Sequence, residues 1–181
     1  NHSDKIGNVI NQLHKLNLPV LVVDDGSSEQ HKKALSSLSE KDNLHIHYCS
    51  QNQGKGGAMK VGFRLAFKQG FTHALQVDAD GQHNLIDALL MLQKMLENPT
   101  ALICGNPIYG DDAPKSRLYG RKITDFWNAI HTLSLDIKDG MCGFRLYPLN
   151  RTIEILDNEH IGNRMDFDIE IIIKAHWYQI P

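Results

Sequence analysis

Cysteine is scarce in this chain: Cys49, Cys104 and Cys142 stand singly among 181 residues, with no CxxC pair. An odd count at that spacing excludes a disulfide framework and a zinc knuckle, and the three are expected to be buried free thiols. An excess of one charge is lacking as well. The 19 basic and 21 acidic side chains leave a formal charge of −2, which offers nucleic acid no attraction. No basic run marks an anionic membrane partner. Apolar runs are short: "PVLVVDD" and "IEIIIKAHW" fall far below the length that spans a bilayer. The N-terminus is polar, without the hydrophobic region of a signal peptide, so the expected compartment is the cytoplasm. Repeats, low-complexity tracts and Pro/Ser-rich linkers are missing, and 41% apolar with 22% charged residues is ordinary for a soluble protein. Residues 1–181 are therefore expected to form one domain with a substantial core.

What is present is an alternation of apolar periods. Ser3 can cap a helix carrying Ile6, Val9, Ile10, Leu13 and Leu16 at helical spacing. "PVLVV" (19–23) reads as a buried strand running into Asp24-Asp25-Gly26-Ser27-Ser28. Helical patterns follow over 29–39, 57–68, 85–96, 117–134, 148–157 and 167–176. Strand patterns cover 44–49, 73–78, 101–105 and 143–147, and Gly70 is a plausible helix stop. Strands alternating with helices at short spacing predict an α/β fold with a mostly parallel central sheet flanked by helices. Ligands of such sheets bind at the carboxyl ends of the strands. Two acidic loops, at 24–25 and 78–80, fall at predicted strand ends and so on one rim.

In "ALQVDADGQHNL" (74–85), Asp78 and Asp80 are separated by one residue, which on extended backbone returns both side chains to the same side. Two carboxylates a few ångströms apart repel by about 4 kcal/mol at an effective dielectric near 20. A hard divalent cation such as Mg²⁺ or Mn²⁺ reverses that repulsion, and it takes few ligands from protein and the rest from phosphate and water. Gly81 lets a bulky ligand approach the backbone, and Gln82 and His83 offer further donors. The plain alternative is a polar turn with a helix cap at Asp80 or Asn84. In "VVDDGSSE", Asp24 or Asp25 can accept from a nucleoside, or simply close an Asx-turn. "NQGKGGA" (52–58) is a glycine-rich turn entering a helix, whose N–H groups suit phosphate oxygens with Lys55 as a point charge. It lacks the spacing and the Lys-Ser/Thr pair of a P-loop.

"VLVVDDGSSE", "NQGKGGAMKVGF", "ALQVDADGQH" and "MCGFRLY", in that order, make the whole chain resemble family 2 glycosyltransferases of the glycosyltransferase-A fold. The nearest flavour is the dolichyl- or polyprenyl-phosphate mannosyltransferase branch. The resemblance implies a nucleotide-diphosphate sugar donor, UDP- or GDP-linked, held through Mg²⁺ or Mn²⁺ by Asp78 and Asp80, with Gln82 a third metal residue. Asp24, Asp25, Lys55, Gly56, Asp78 and Ala79 would bind the donor nucleotide. It also implies inverting transfer to a lipid-phosphate or saccharide hydroxyl acceptor, as in envelope polysaccharide or glycolipid synthesis. Members of the family normally begin with a strand that lines the nucleotide pocket, and they continue past the equivalent of "HWYQIP". The chain is thus expected to be a fragment truncated at both ends, its first strand missing, with a membrane-associated context open through its flanks.

For the acceptor, "NRMDFDIEI" (163–171) offers Asp168 as base, with Asp166 second, or merely acids at a helix start. A lipid phosphate, already anionic, needs no strong base. Arg121 and Arg145 match basic positions of the family and are expected to hold acceptor or donor phosphate, and Arg117 and Lys122 are further candidates. His45, His47 and Cys49 share a strand face that could ligate zinc, and partly exposed strand residues account for them more simply. Trp127 and Trp177 are expected in the core or at an interface. Three rival readings are a sugar-nucleotide-forming nucleotidyltransferase, a non-catalytic nucleotide-sugar-binding module and a response-regulator-like domain. The last has no use for "NQGKGGA".

Overall fold

The computed structural model describes residues 3–39, 43–106 and 142–181. The expected helix over 117–134, with Arg117, Arg121, Lys122 and Trp127, lies outside the described residues. In chain order the elements are α1 (Ser3–Lys15), β1 (Val20–Asp24), α2 (Glu29–Ser36), β2 (Leu44–Tyr48) and α3 (Lys55–Lys68). There follow β3 (His73–Gln76), α4 (Asp87–Glu97), β4 (Ile103–Cys104), β5 (Arg145–Pro148), α5 (Leu149–Asn158) and α6 (Phe167–Trp177).

β1 and β2 pair in parallel, from Val20 opposite Leu44 to Asp24 opposite Tyr48. A single helix joins these strands, and that crossover returns the chain in the same direction. The second sheet departs from the mostly parallel expectation. Its order is β3-β5-β4, and β5 runs antiparallel to both neighbours. Alternation of elements dictates parallel pairing only where one helix links two adjacent strands, and β5 joins partners far away in sequence. Among the described residues the sheet is thus in two hydrogen-bonded pieces.

β5 is buried on both faces, so its side chains alternate between two cores. Leu146 packs with Val9 and Leu13 of α1, with Ala88 and Met91 of α4, and with Cys142 and Phe144. Tyr147 on the opposite face packs with Phe63 of α3, Leu149 and Ile155 of α5, and Phe167, Ile171 and Ile172 of α6. The Phe63 ring lies 4.7 Å from that of Tyr147 and 6.4 Å from that of Phe167. Burying Phe167 completely contributes about 1.5–3 kcal/mol of transfer free energy. Cys49 and Cys142 are buried as expected, whereas Cys104 at the end of β4 is exposed. Trp177 also stands exposed.

Two boundary shifts bear on the site. β3 stops at Gln76, which leaves Asp78 in the following turn. α3 starts at Lys55, two residues early, so Lys55, Gly56 and Gly57 form its first turn.

Candidate active site

The first two motifs fold into one unit. At the end of β1 the Asp24 carboxylate accepts from the Ser27 N–H at 3.2 Å, and Asp24 is only 4% exposed. Gly26 then takes a φ of +70°, where a Cβ would stand 2.6 Å from the Asn52 nitrogen. That close approach lets Asp25 reach the glycine-rich turn. Its two oxygens accept from the N–H groups of Gln53 at 2.7 Å and Gly54 at 2.8 Å, and Asn52 Nδ2 donates to its carbonyl at 3.0 Å. The carboxylate that follows β1 therefore holds the turn leading into α3, close to the helix start where the dipole favours negative charge. Asp24 and Asp25 were expected to meet a nucleoside. Here Asp24 is enclosed, and Asp25 serves the turn whose N–H groups were expected to meet phosphate.

The far side of that turn packs on the segment before α6. The Gly57 N–H donates to the Asn163 carbonyl at 2.9 Å, and Lys60 Nζ donates to the Ile161 carbonyl and to Asn163 Oδ1. A Cβ on Gly56 would lie 2.6 Å from the Phe167 Cβ, so this contact demands glycine. Gly56 is buried there, against Phe167 and the backbone of 162–163.

Lys55 projects from the α3 start between two acids. Its Nζ is 3.0 Å from Asp78 Oδ1, 3.3 Å from Asp78 Oδ2 and 2.7 Å from Asp168 Oδ2. Burial alone would lower the Lys55 pKa, but the two carboxylates outweigh it and raise the value, so the ammonium stays charged. For Asp78, burial pushes upward, while His83 and Lys55 beside it prevail and hold the carboxyl at about 2. His83 Nε2 sits 3.7 Å from Asp78 Oδ2, beyond hydrogen-bond range, and its ring stacks on Phe144 with centroids 5.0 Å apart. The Asp78 carboxylate also rests on Gly143, where a Cβ would come within 2.5 Å of Oδ2. That contact ties "MCGFRLY" to the D-x-D turn.

Asp168 is 2% exposed and held from several sides. Gln76 Nε2 donates to its Oδ1 at 3.1 Å, Lys55 holds Oδ2, and Arg145 Nη1 donates to its backbone carbonyl at 2.6 Å. The Tyr147 hydroxyl donates to Gln76 Oε1 at 2.9 Å and accepts from Arg145 Nη1 at 3.4 Å. Burial drives the Tyr147 pKa well above the ordinary phenol value, which keeps that hydroxyl protonated. Arg145 is 0% exposed, and its Nη1 reaches both the Asp168 carbonyl and the Tyr147 hydroxyl. Asp168 is enclosed, with both carboxylate oxygens engaged. Asp166 is exposed and accepts from the Arg164 N–H at 2.9 Å, closing the turn ahead of α6. Gln76 and Tyr147 were missed from the sequence. The one available signal was a glutamine inside the apolar run "HALQV".

Asp80 accepts from the Gln82 N–H at 3.0 Å, and Gly81 turns the chain with φ +70°. Asp80 and Ala79 are half-buried and Gln82 is exposed. Among the described residues no three His, Cys, Asp or Glu gather into a cage that holds a cation alone, and this applies to His45, His47 and Cys49. The donor set of the turn nevertheless fits a hard cation. Asp78 is ionised at any physiological pH, and its oxygens and those of Asp80 leave the remaining ligands to phosphate and water.

Known proteins resemble the chain over most of its length. The chain is 31% identical over 178 residues to the dolichyl-phosphate beta-glucosyltransferase of Dictyostelium discoideum, covering 92% of this chain and 53% of that protein. Its identity to the human dolichyl-phosphate beta-glucosyltransferase is 29% over 175 residues, covering 90% and 52%. A UDP-N-acetylglucosamine–dolichyl-phosphate N-acetylglucosaminyltransferase from Methanococcus voltae is 24% identical over 192 residues, covering 97% and 76%. The chain spans about half the length of the two glucosyltransferases. These names carry glucose and N-acetylglucosamine, not the mannose that the motifs suggested. The sequence model of glycosyl transferase family 2 matches residues 1–157, and the chain belongs to that family.

Proposed function

We propose that the chain is the donor-binding part of an inverting glycosyltransferase that moves glucose or N-acetylglucosamine from a UDP-sugar to a lipid phosphate. The observation that carries this reading is Asp78, ionised and paired with Lys55 just after β3, with Asp80 two residues further on in the same turn. A divalent cation bound there, Mg²⁺ or Mn²⁺, would supply Lewis-acid stabilisation of the leaving diphosphate, worth several kcal/mol. Asp78 and Asp80 would hold it, with Gln82 beside them. The nucleoside would lie against the Asp25–Ser27 turn. Lys55 adds a fixed positive charge next to the diphosphate. The enclosed Asp168 favours a lipid phosphate over a saccharide hydroxyl, because a phosphate arrives already anionic and asks for no base. Arg121 remains the candidate for holding that phosphate.

The relatives' names specify a dolichyl-phosphate acceptor. Among the described residues no helix is long and apolar enough to cross a membrane. With a lipid phosphate as acceptor, we place the reaction at the cytoplasmic face of a membrane. The nucleotidyltransferase reading loses its support to the family match.

A thermal-shift series with UDP-glucose, UDP-N-acetylglucosamine and GDP-mannose, each with and without Mn²⁺, tests the proposal. A UDP-sugar with Mn²⁺ at about 100 times its Kd should stabilise the protein by about 2.7 kcal/mol, a rise of a few degrees. Failure of every nucleotide sugar to raise Tm would overturn it. Asp80→Asn should abolish the Mn²⁺-dependent part of the shift while leaving the ligand-free Tm within about 2 °C.

A further inference from the structure

Lys55 sits in a position that the donor reading alone does not explain. A lysine meant only for phosphate would extend into solvent, yet this one is fastened to Asp168 at 2.7 Å and to both oxygens of Asp78. Asp168 is in turn fixed by Gln76 Nε2, and its backbone carbonyl by Arg145 Nη1. Gly143 closes off the other side of Asp78. The Asp168 end is therefore a rigid, buried anchor. The Asp78 end is a contact with a half-exposed carboxylate that a cation also needs.

We propose that Lys55 is a positioning residue that competes with the divalent cation for Asp78. Asp168 keeps its ammonium within reach when the cation takes over. The inference rests on the reading of Asp78 as a cation residue. In the exchange, Asp78 trades one positive partner for a stronger one, and Lys55, still held through Asp168, turns its free N–H bonds to the incoming diphosphate. Metal and diphosphate are thereby coupled. Mn²⁺ alone must displace a lysine, whereas Mn²⁺ arriving with a diphosphate provides the displaced lysine with a new partner. This gives Asp168 a role through Lys55 in place of a role as base.

The test is direct titration of free Mn²⁺ by electron paramagnetic resonance, with the protein alone and with UDP. Lys55→Gln keeps a polar contact to Asp168 but removes the charge. It should bind Mn²⁺ alone at least about fivefold more tightly than wild type and lose at least about tenfold in UDP affinity at saturating Mn²⁺. Lys55→Arg, which keeps the charge, should stay within about twofold of wild type for Mn²⁺ alone. Should the Gln variant fail to fold, Lys55→Met makes the same comparison with an uncharged chain of similar length. Equal or weaker Mn²⁺ binding in the uncharged variants would overturn the inference, since a purely structural lysine gives that sign. Asp78→Asn separates the two levels. If it binds Mn²⁺ as well as wild type does, the metal reading itself has failed. If it loses Mn²⁺ while Lys55→Gln gains nothing, only the competition is wrong.

Discussion

Gly143 shows how a single missing side chain shapes a site. Its α-carbon backs the Asp78 carboxylate, and a methyl group there would overlap both oxygens. Gly143→Ala should therefore push Asp78 away from Lys55 and lower Mn²⁺-dependent UDP affinity at least about tenfold. The stability cost should be about 1–3 kcal/mol, as for other overpacked sites, read by urea unfolding. Asp78 also has a pH signature. Its folded value of about 2 lies below the ordinary 3.8, so its ion pair stabilises the fold above the unfolded value and is lost as pH falls through the folded one. Melting curves between pH 4 and pH 2 should fall more steeply for wild type than for Asp78→Asn. Equal slopes would show that Asp78 does not carry that part of the acid sensitivity.

At the scale of elements, the start of α3 is the piece that organises the site. The helix begins on glycines that no good helix former could replace, because Gly56 and Gly57 meet Phe167 and Gln53 at contact distance. The N–H groups of the two residues just before the helix, Gln53 and Gly54, are satisfied by Asp25 from the loop after β1. Asp25→Ala removes both acceptors at once and should cost about 1–3 kcal/mol in urea unfolding. Amide exchange at Gln53 and Gly54 should accelerate, while Phe63 in the helix centre keeps its protection. β5 is the element that local pattern could not orient. Its apolar run "GFRLY" was legible as a strand, but direction and neighbours depend on pairings with β3 and β4 formed across long stretches of chain. The antiparallel register sets Gln76 opposite Arg145 and Ala74 opposite Tyr147. That register places Gln76, Arg145 and Tyr147 together under Asp168.

For the whole molecule, two cores on opposite faces of β5 connect the site to global stability. Phe167, fully buried between α3, β5 and α6, borders the Asp168 anchor on one side and Gly56 on the other. Phe167→Ala should destabilise the fold by about 3–5 kcal/mol in urea. Because the cavity opens beside Gly56 and Asp168, the variant should lose UDP affinity even under conditions where it is folded. Unchanged affinity would mean that the site is insulated from this core.

Local features were legible from residues alone: the D-x-D turn, the acid-glycine turn after β1, the glycine-rich helix start and nearly every element. Each arises from neighbours in sequence, through periodicity, backbone freedom at glycine and charge at strand ends. The family, too, was legible in the order of those motifs. Tertiary structure alone decided which partner each charge would find. Arg145 and Asp168 read as solvent-facing chemistry, because arginines and acids near a site ordinarily are. Packing on both faces of β5 buried them instead, and a buried charge must be paired. Lys55, placed at the edge of that burial, became the link between the interior and the donor rim.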